Sequence, residues 1–437
     1  MDDWLSLRAV THPQGTAVVG AGEALTYAAL AARAAASARR LAALGIGPGD
    51  RVATTLPSGS DFASLIHAMP LLGAVLVPLN VRLPLPEQRR MAAEAGVRLT
   101  ISEPLVGAEA DVPLRATVDA DRPWTLLHTS GTGGRPKPVL LTYRNHTASA
   151  IASAWNLGVD PADRWLSVLP LFHVGGLAIL IRSAVYGTTA VLEEGFEPAA
   201  VARWIADDRI TLLSLVPTML RRLLDHGVVS ESSLRAVLIG GGPVPSELLA
   251  RATAAGLPVI QTYGMTETAS QIATLSAADA LAGREGAGRA LPGVELRIGE
   301  QSRIEVRGPM VARAEAGGDG WLHTSDRGRL DTEGFLHVDG RLDAVIVTGG
   351  ENVAAEEVEE ALLAHPAVSD AAVVGMPDPE WGRAVTAFVV LSEQVSDADL
   401  LAHARTRLAP FKLPKAVHRR ESLPRNAAGK LIRRGLI

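Results

Sequence analysis

No cysteine occurs in the 437 residues, which excludes a disulfide framework, a thiolate metal site and a cysteine nucleophile. Lysine is nearly absent: the 42 basic residues are 38 Arg and four Lys, namely Lys137, Lys412, Lys415 and Lys430. In so Arg-rich a chain each retained lysine is informative, because lysine is a compact point charge suited to a single phosphate or carboxylate oxygen, a task the planar guanidinium does not duplicate. One lysine lies in a glycine-rich stretch and three lie in the last 26 residues. Long apolar runs are missing as well. No stretch of 18 apolar residues appears, and the longest candidate, residues 174–181, is far too short to cross a bilayer. An excess of positive charge is also missing; with a formal net charge of −5, neither nucleic acid nor an anionic membrane is expected as a partner. The opening Met-Asp-Asp-Trp lacks the cationic start of a signal peptide, so a cytoplasmic location is expected.

The length is ample for a sizeable core and suggests about three domain-sized units. From residue 26 to about 261, β-type apolar runs at 51–55, 74–78, 124–128, 164–168, 189–192, 211–215, 236–239 and 258–261 alternate with helical patterns at 26–44, 60–72, 143–155, 198–207 and 245–255. Such alternation predicts an α/β fold of mostly parallel sheets covered by helices. Short β segments with glycine-rich turns follow over about 284–340. Beyond residue 341 the pattern restarts as a small α+β unit, with helices at 355–365 and 397–408 and strands at 367–374, 384–391 and near Val417. Residues 105–121 read as an irregular acidic connection.

Two stretches carry chemistry. In the first, the strand 124–128 runs into Thr129-Ser-Gly-Thr-Gly-Gly-Arg-Pro-Lys137, followed by a second apolar run. Glycines there remove every Cβ that would keep an oxyanion from the backbone N–H groups, Thr129, Ser130 and Thr132 add hydroxyl donors, and Lys137 adds a full charge. A Walker loop needs Gly-Lys-Ser/Thr at its end, where this chain has Pro136-Lys137-Pro138, and a dinucleotide fingerprint would need glycine at Pro136. The second stretch is Gln261-Thr-Tyr-Gly-Met-Thr-Glu-Thr-Ala-Ser-Gln271, where Glu267 offers a carboxylate oxygen suited to a hard cation.

The glycine loop resembles the phosphate loop of the adenylate-forming superfamily, which includes acyl-CoA synthetases, luciferases and the adenylation domains of peptide synthetases. Gly133 stands where that family usually has Thr or Ser, and Pro138 where it has Gly. The resemblance implies nucleotide contacts from Thr129, Ser130, Gly131, Thr132 and Lys137, from Gly240, Gly241 and Gly242 after the strand 236–239, and from Thr262 and Tyr263, with Tyr263 stacking on adenine. It further implies that Thr266 meets the α-phosphate and Glu267 holds Mg²⁺. The acids and bases of Thr324-Ser-Asp326 and Gly340-Arg-Leu-Asp343 would supply Asp326 and Arg341 to the ribose and Asp343 as a hinge. Thr348-Gly349-Gly350 resembles the motif past which the pantetheine arm of coenzyme A enters, and Leu423-Pro-Arg-Asn-Ala-Ala-Gly-Lys430 the terminal motif whose lysine completes the adenylation site.

Within that superfamily, residues 171–182 and 261–275 are similar to the o-succinylbenzoyl-CoA synthetases of menaquinone biosynthesis. This implies His173 and Gly264 beside the acid, and Arg182, with Ser214, toward its second carboxylate. The expected organisation is a large domain over 1–340 with a β-rich part at about 284–340, a hinge at 341–343 and a small mobile domain over 344–437. The expected activity is ATP-dependent ligation of a small carboxylic acid to coenzyme A through an acyl-adenylate, with ATP, Mg²⁺ and coenzyme A as co-reactants. A medium-chain or aryl acyl-CoA ligase, a peptide-synthetase adenylation domain and a non-catalytic nucleotide-binding regulator stay open, as does self-association into a homo-oligomer.

Overall fold

The computed structural model describes residues 1–436 apart from 21, 130–136, 208, 230–232, 343–344, 349–350, 379–380 and 426–430. Two compact units are present. One comprises Met1–Gly241, Ala252–Glu295 and Val306–Leu322; the other comprises Gly242–Arg251, Leu296–Glu305 and His323–Ile437.

The first unit holds two large sheets. A five-stranded sheet sets Arg51–Thr54, Val75–Pro78, Val97–Ile101 and Pro123–Thr129 in parallel, closed at one edge by Lys137–Thr142, which returns antiparallel. A nine-stranded sheet has a parallel centre made of Thr189–Leu192, Arg164–Ser167, Leu212–Leu215, Ala236–Ile239 and Val259–Met265. Antiparallel strands close its two ends, Glu23–Thr26 on one side and Ser270–Thr274 with Arg289–Ala290 on the other. Thr189–Leu192, Leu212–Leu215 and Ala236–Ile239 are buried along their whole length, and Arg164–Ser167 is buried beyond its first residue, as expected of parallel strands covered on both faces, and this is why they appear in the sequence as mostly apolar runs. The helices that cover them include Tyr27–Ala43, Ser60–Leu72, Tyr143–Leu157 and Val174–Tyr186. The first of these is capped by Thr26, whose hydroxyl accepts from the Ala29 N–H, and the third by a reciprocal pair between Thr142 and Asn145.

The second unit contains the antiparallel pair Leu322–Leu330 and Leu336–Arg341, the hairpin Val345–Thr348 with Glu351–Ala354, and a three-stranded sheet of Val368–Asp378, Gly382–Leu391 and Ala416–Arg419. The helices Ala355–Leu363 and Asp397–Arg405 bury Val358, Leu362, Leu400 and Ala404 in a core shared with Val373, Val385, Ala387 and Val389 on one sheet face. The expected α/β class, with helix-covered mostly parallel sheets followed by a small α+β unit, is what the chain forms. Residues 105–121 contain no helix or strand. The run after the glycine loop, which carried no element assignment, is the edge strand Lys137–Thr142. Among the described residues no helix is long and apolar enough to cross a membrane.

Candidate active site

The glycine loop is the connection of an antiparallel hairpin. Thr129 faces Lys137 and His128 faces Pro138 across it, and the Thr129 hydroxyl donates to the Lys137 carbonyl over 3.4 Å. Ser130, Gly131 and Thr132 lie outside the described residues, so only the two ends of the loop are defined. The Lys137 ammonium forms an ion pair with Glu315, a mostly buried carboxylate that no motif pointed to. A phosphate approaching Lys137 must therefore compete with an acid already in place.

In open α/β sheets the carboxyl ends of parallel strands gather binding groups, and two neighbouring strands, Ala236–Ile239 and Val259–Met265, carry the candidates here. Ala236–Ile239 ends at Gly240, where an added Cβ would come within 3.0 Å of the Thr262 side chain on the adjacent strand. Gly241 follows with φ of +80°, in the left-handed region that favours glycine. It is exposed, as is Gly242, so this turn presents bare backbone. Thr262 hydrogen-bonds Thr274 through their hydroxyls at 2.8 Å. Tyr263 and Gly264 then enter a bulge against Ser270–Thr274, and a Cβ at Gly264 would sit 1.9 Å from the Ser270 carbonyl oxygen. The close approach alone demands glycine at that point.

Thr266 and Glu267 lie on a single 3₁₀ turn, Thr266–Thr268, which the sequence did not predict. Thr268 locks the turn. Its buried hydroxyl lies within hydrogen-bond distance of the carbonyls of Met265 and Ser270, which share its one proton, and accepts from the Met265 N–H. Ala269 and Ser270 take φ of 50° and 107°, a strained pair of non-glycine residues that persists because the surrounding bonds hold it. The Glu267 carbonyl accepts from the Ala312 N–H at 2.8 Å, and the Asn145 amide holds that segment by donating to the carbonyls of Pro309 and Val311. The half-buried Glu267 carboxylate therefore stands on a fixed base. Among the described residues no group of three or more acids and histidines could hold a metal by itself. A single carboxylate fits magnesium, which keeps most of its shell for water and phosphate oxygens.

Of the acid-pocket candidates, His173 and Arg182 belong to the start and the body of the helix Val174–Tyr186 and Ser214 to the strand Leu212–Leu215, whereas Gly264 lies apart on Val259–Met265. His173 is the residue before the helix, and the helix starts close against the chain below it: a Cβ at Gly176 would meet the carbonyls of Leu169 and Pro170 at 2.5 and 2.6 Å. Burial, aided by the Arg82 charge, lowers the His173 imidazole to a pKa of about 4. It is therefore neutral at working pH. Its side-chain ¹H–¹⁵N resonances are expected not to titrate between pH 5.5 and 8; a midpoint near 6.5 would show an imidazole in contact with solvent.

Arg182 lies further along the same helix, 3 % exposed. Its guanidinium stands over the Trp165 ring, 5.4 Å from the centroid, and reaches the Ser149 hydroxyl at 3.5 Å. The Trp165 indole N–H in turn donates to the Ser214 hydroxyl at 3.0 Å. Arg182 and Ser214 are thus linked through a tryptophan that no motif pointed to, since in the sequence it is one more apolar residue of a buried strand. The other neighbours are neutral. Burial, with the Arg182 charge second, lowers His146 to about 3, and its ring nitrogen bonds the Thr125 hydroxyl. Tyr186 donates to the Ala150 carbonyl, and burial raises its pKa.

In the second unit Asp326 and Arg341 face each other across the pair Leu322–Leu330 and Leu336–Arg341, 3.4 Å apart. The Asp326 N–H donates to Thr324, whose own hydroxyl donates to the Ile304 carbonyl. Asp343, Gly349, Gly350 and Lys430 lie outside the described residues.

The first unit thus carries a 3₁₀ turn bearing Thr-Glu and a bare glycine turn at the carboxyl ends of parallel strands, the second carries an Asp/Arg pair, and the chain belongs to the AMP-binding enzyme family, a class of nucleotide-dependent enzymes. That family's model matches residues 5–118 and 102–315, and the model of its C-terminal domain matches 357–430. The particular relatives are ligases. Over its whole length the chain is 38 % identical to the 2-succinylbenzoate–CoA ligase of Bacillus cytotoxicus, of which it covers 98 %. Among solved structures it is similar to o-succinylbenzoate CoA synthetase from Bacillus subtilis in complex with the acyl-adenylate intermediate, at a TM-score of 0.94 and 37 % identity, covering 100 % of this chain and 98 % of that one. It is equally similar to that enzyme with ATP and a magnesium ion, at 0.94 and 37 %, covering 100 % and 99 %.

Proposed function

We propose that this chain is an ATP-dependent 2-succinylbenzoate–CoA ligase of menaquinone biosynthesis. A substrate carboxylate attacks the α-phosphorus of ATP and expels pyrophosphate. The thiol of coenzyme A then attacks the acyl-adenylate and releases AMP. Thr266 meets the α-phosphate, the glycine turns and Tyr263 receive the adenine, Asp326 with Arg341 takes the ribose hydroxyls, and Lys430 donates to the phosphoryl oxygens as charge develops. Mg²⁺ bound at Glu267 supplies charge neutralisation on the phosphates. No protein nucleophile is required, in keeping with the absence of cysteine. Between the half-reactions the small domain rotates about Asp343, withdrawing Lys430 and bringing Gly349 and Gly350 to the pantetheine arm. ATP and coenzyme A are dissolved cytoplasmic metabolites, which supports a cytoplasmic location.

The identity of the acid rests on Arg182. Arg182 is a buried guanidinium with no carboxylate within ion-pair distance among the described residues; its neighbours are a tryptophan face, hydroxyls and a neutral histidine. A buried cation is costly unless an anion is supplied. A substrate with a second carboxylate supplies one, and a monocarboxylic acid does not. Acid-dependent exchange of labelled pyrophosphate into ATP, measured over a panel of aryl, fatty and dicarboxylic acids, is expected to be fastest by far with 2-succinylbenzoate. Comparable exchange with benzoate or a medium-chain acid would replace this assignment with a general acyl-CoA ligase, and absence of exchange with every acid would point to a regulator.

A further inference from the structure

Lys430 belongs to the stretch 426–430, and the described residues on either side of that stretch are fastened together and to the small domain. Arg425 and Leu431 form an isolated antiparallel bridge, and the Ile432 N–H donates to the Pro424 carbonyl at 2.8 Å. Leu423, Leu431 and Leu436 pack against Ala372, Val374 and Phe388 on the sheet face opposite the helix Ala355–Leu363. Two arginines then tie the ends. Arg425 grips Asp370 with two contacts from one nitrogen, at 2.6 and 2.8 Å. Three residues past the lysine, Arg433 donates to both Glu359 oxygens at 2.9 and 2.8 Å and to Glu356 at 3.1 Å. Glu359 is buried and also accepts from the Val373 N–H at 2.8 Å. Burial raises its pKa to about 7 against the opposing pull of Arg433.

The arrangement is more elaborate than attachment requires. The three leucines already hold the segment to the sheet, but contact between apolar side chains is non-directional and does not by itself set a register. Two acids sharing one guanidinium cost desolvation that an apolar residue would avoid, but they define a direction and a register on the helix. Arg433 Nη2 stands between carboxylates one turn apart, and a shift of the segment along the helix axis would lose one of them.

We propose that Arg433, through Glu359 and Glu356, is a positioning residue for the adenylation half-reaction: it sets the register of the segment that carries Lys430 on the helix Ala355–Leu363. This rests on the assignment of Lys430 to adenylation. All the groups of the clasp belong to one unit and travel together when the small domain rotates, so the second half-reaction, which does not use Lys430, is indifferent to it.

The test measures the two half-reactions separately, pyrophosphate exchange with 2-succinylbenzoate for the first and thioester formation from supplied acyl-adenylate for the second. Arg433→Met removes the guanidinium but keeps much of its bulk. Glu359→Gln keeps the acceptor for Val373 and should fold even where Arg433→Met does not. Both are expected to lower kcat of exchange by about 10- to 100-fold, the range of a lost charge-assisted contact, with KM for ATP changed less than about threefold and thioester formation within about twofold of the parent. Arg433→Lys, with one charge to share, should recover part of the loss. Equal loss in both half-reactions, or unchanged exchange in folded Glu359→Gln, would overturn the proposal. Lys430→Ala measured in parallel separates the failures: if it shows the split and Glu359→Gln does not, only the clasp is wrong, and if neither shows it, the assignment of Lys430 falls and the clasp with it.

Discussion

Lys430→Ala is expected to lower the rate of adenylation by roughly 10²–10³-fold, the loss associated with removing one donor aimed at transition-state charge, while thioester formation from supplied acyl-adenylate stays nearly intact. In the first step negative charge builds on the phosphoryl oxygens, and a compact ammonium stabilises a single oxygen there without the planar geometry that a guanidinium imposes. In the second step the phosphate is the leaving group of an anhydride already made, and on the proposed domain rotation the lysine has been withdrawn. The sequence itself marks this residue, since a chain with 38 Arg and four Lys has kept lysine here. Separate assays of exchange and of thiol transfer decide the matter, and similar damage to both would show that one conformation serves both steps.

For Arg182→Ala the expected result is a change of selectivity. A charge-assisted contact contributes on the order of 1.5–3 kcal/mol, so kcat/KM for 2-succinylbenzoate should fall about 10- to 150-fold. Acids with one carboxylate offer this arginine nothing, and with them the variant should be neutral or slightly better. The burial of Arg182 adds a second readout. An unpaired buried cation burdens the ligand-free fold, and Arg182→Met, which keeps contact with the Trp165 face, should leave the ligand-free melting temperature unchanged or raise it. A selectivity ratio that the mutation does not move, in protein that remains folded, would remove the second-carboxylate assignment and leave an acyl-CoA ligase of other specificity.

Much of the architecture was legible because the physics behind it is local. Buried parallel strands are mostly apolar on both faces, so Arg164–Ser167, Leu212–Leu215 and Ala236–Ile239 appear as mainly apolar runs between helices that begin at Thr, Ser or Pro. The glycines at close backbone approaches were legible for a related reason: such an approach restricts the residue type wherever the chain folds. Gly264 and Gly240 bear this out, since added side chains would strike Ser270 and Thr262.

Pairing is what the sequence by itself did not determine. Trp165 lies 17 residues before Arg182 and 49 before Ser214, and only the parallel register of the strands Arg164–Ser167 and Leu212–Leu215, with a helix laid across them, turns three separate residues into one polar cluster. Glu315 reaches Lys137 across 178 positions, and Glu359 reaches Arg433 across 74. Each of these side chains is unremarkable in its own neighbourhood of the sequence, as an apolar strand residue or a routine helix acid. Residue type and spacing determined which groups the chain possesses and which turns it must make. Which charges meet, and which buried charge has no acid beside it among the described residues, depended on contacts between distant segments, whose energies exist only once the sheets have brought them together.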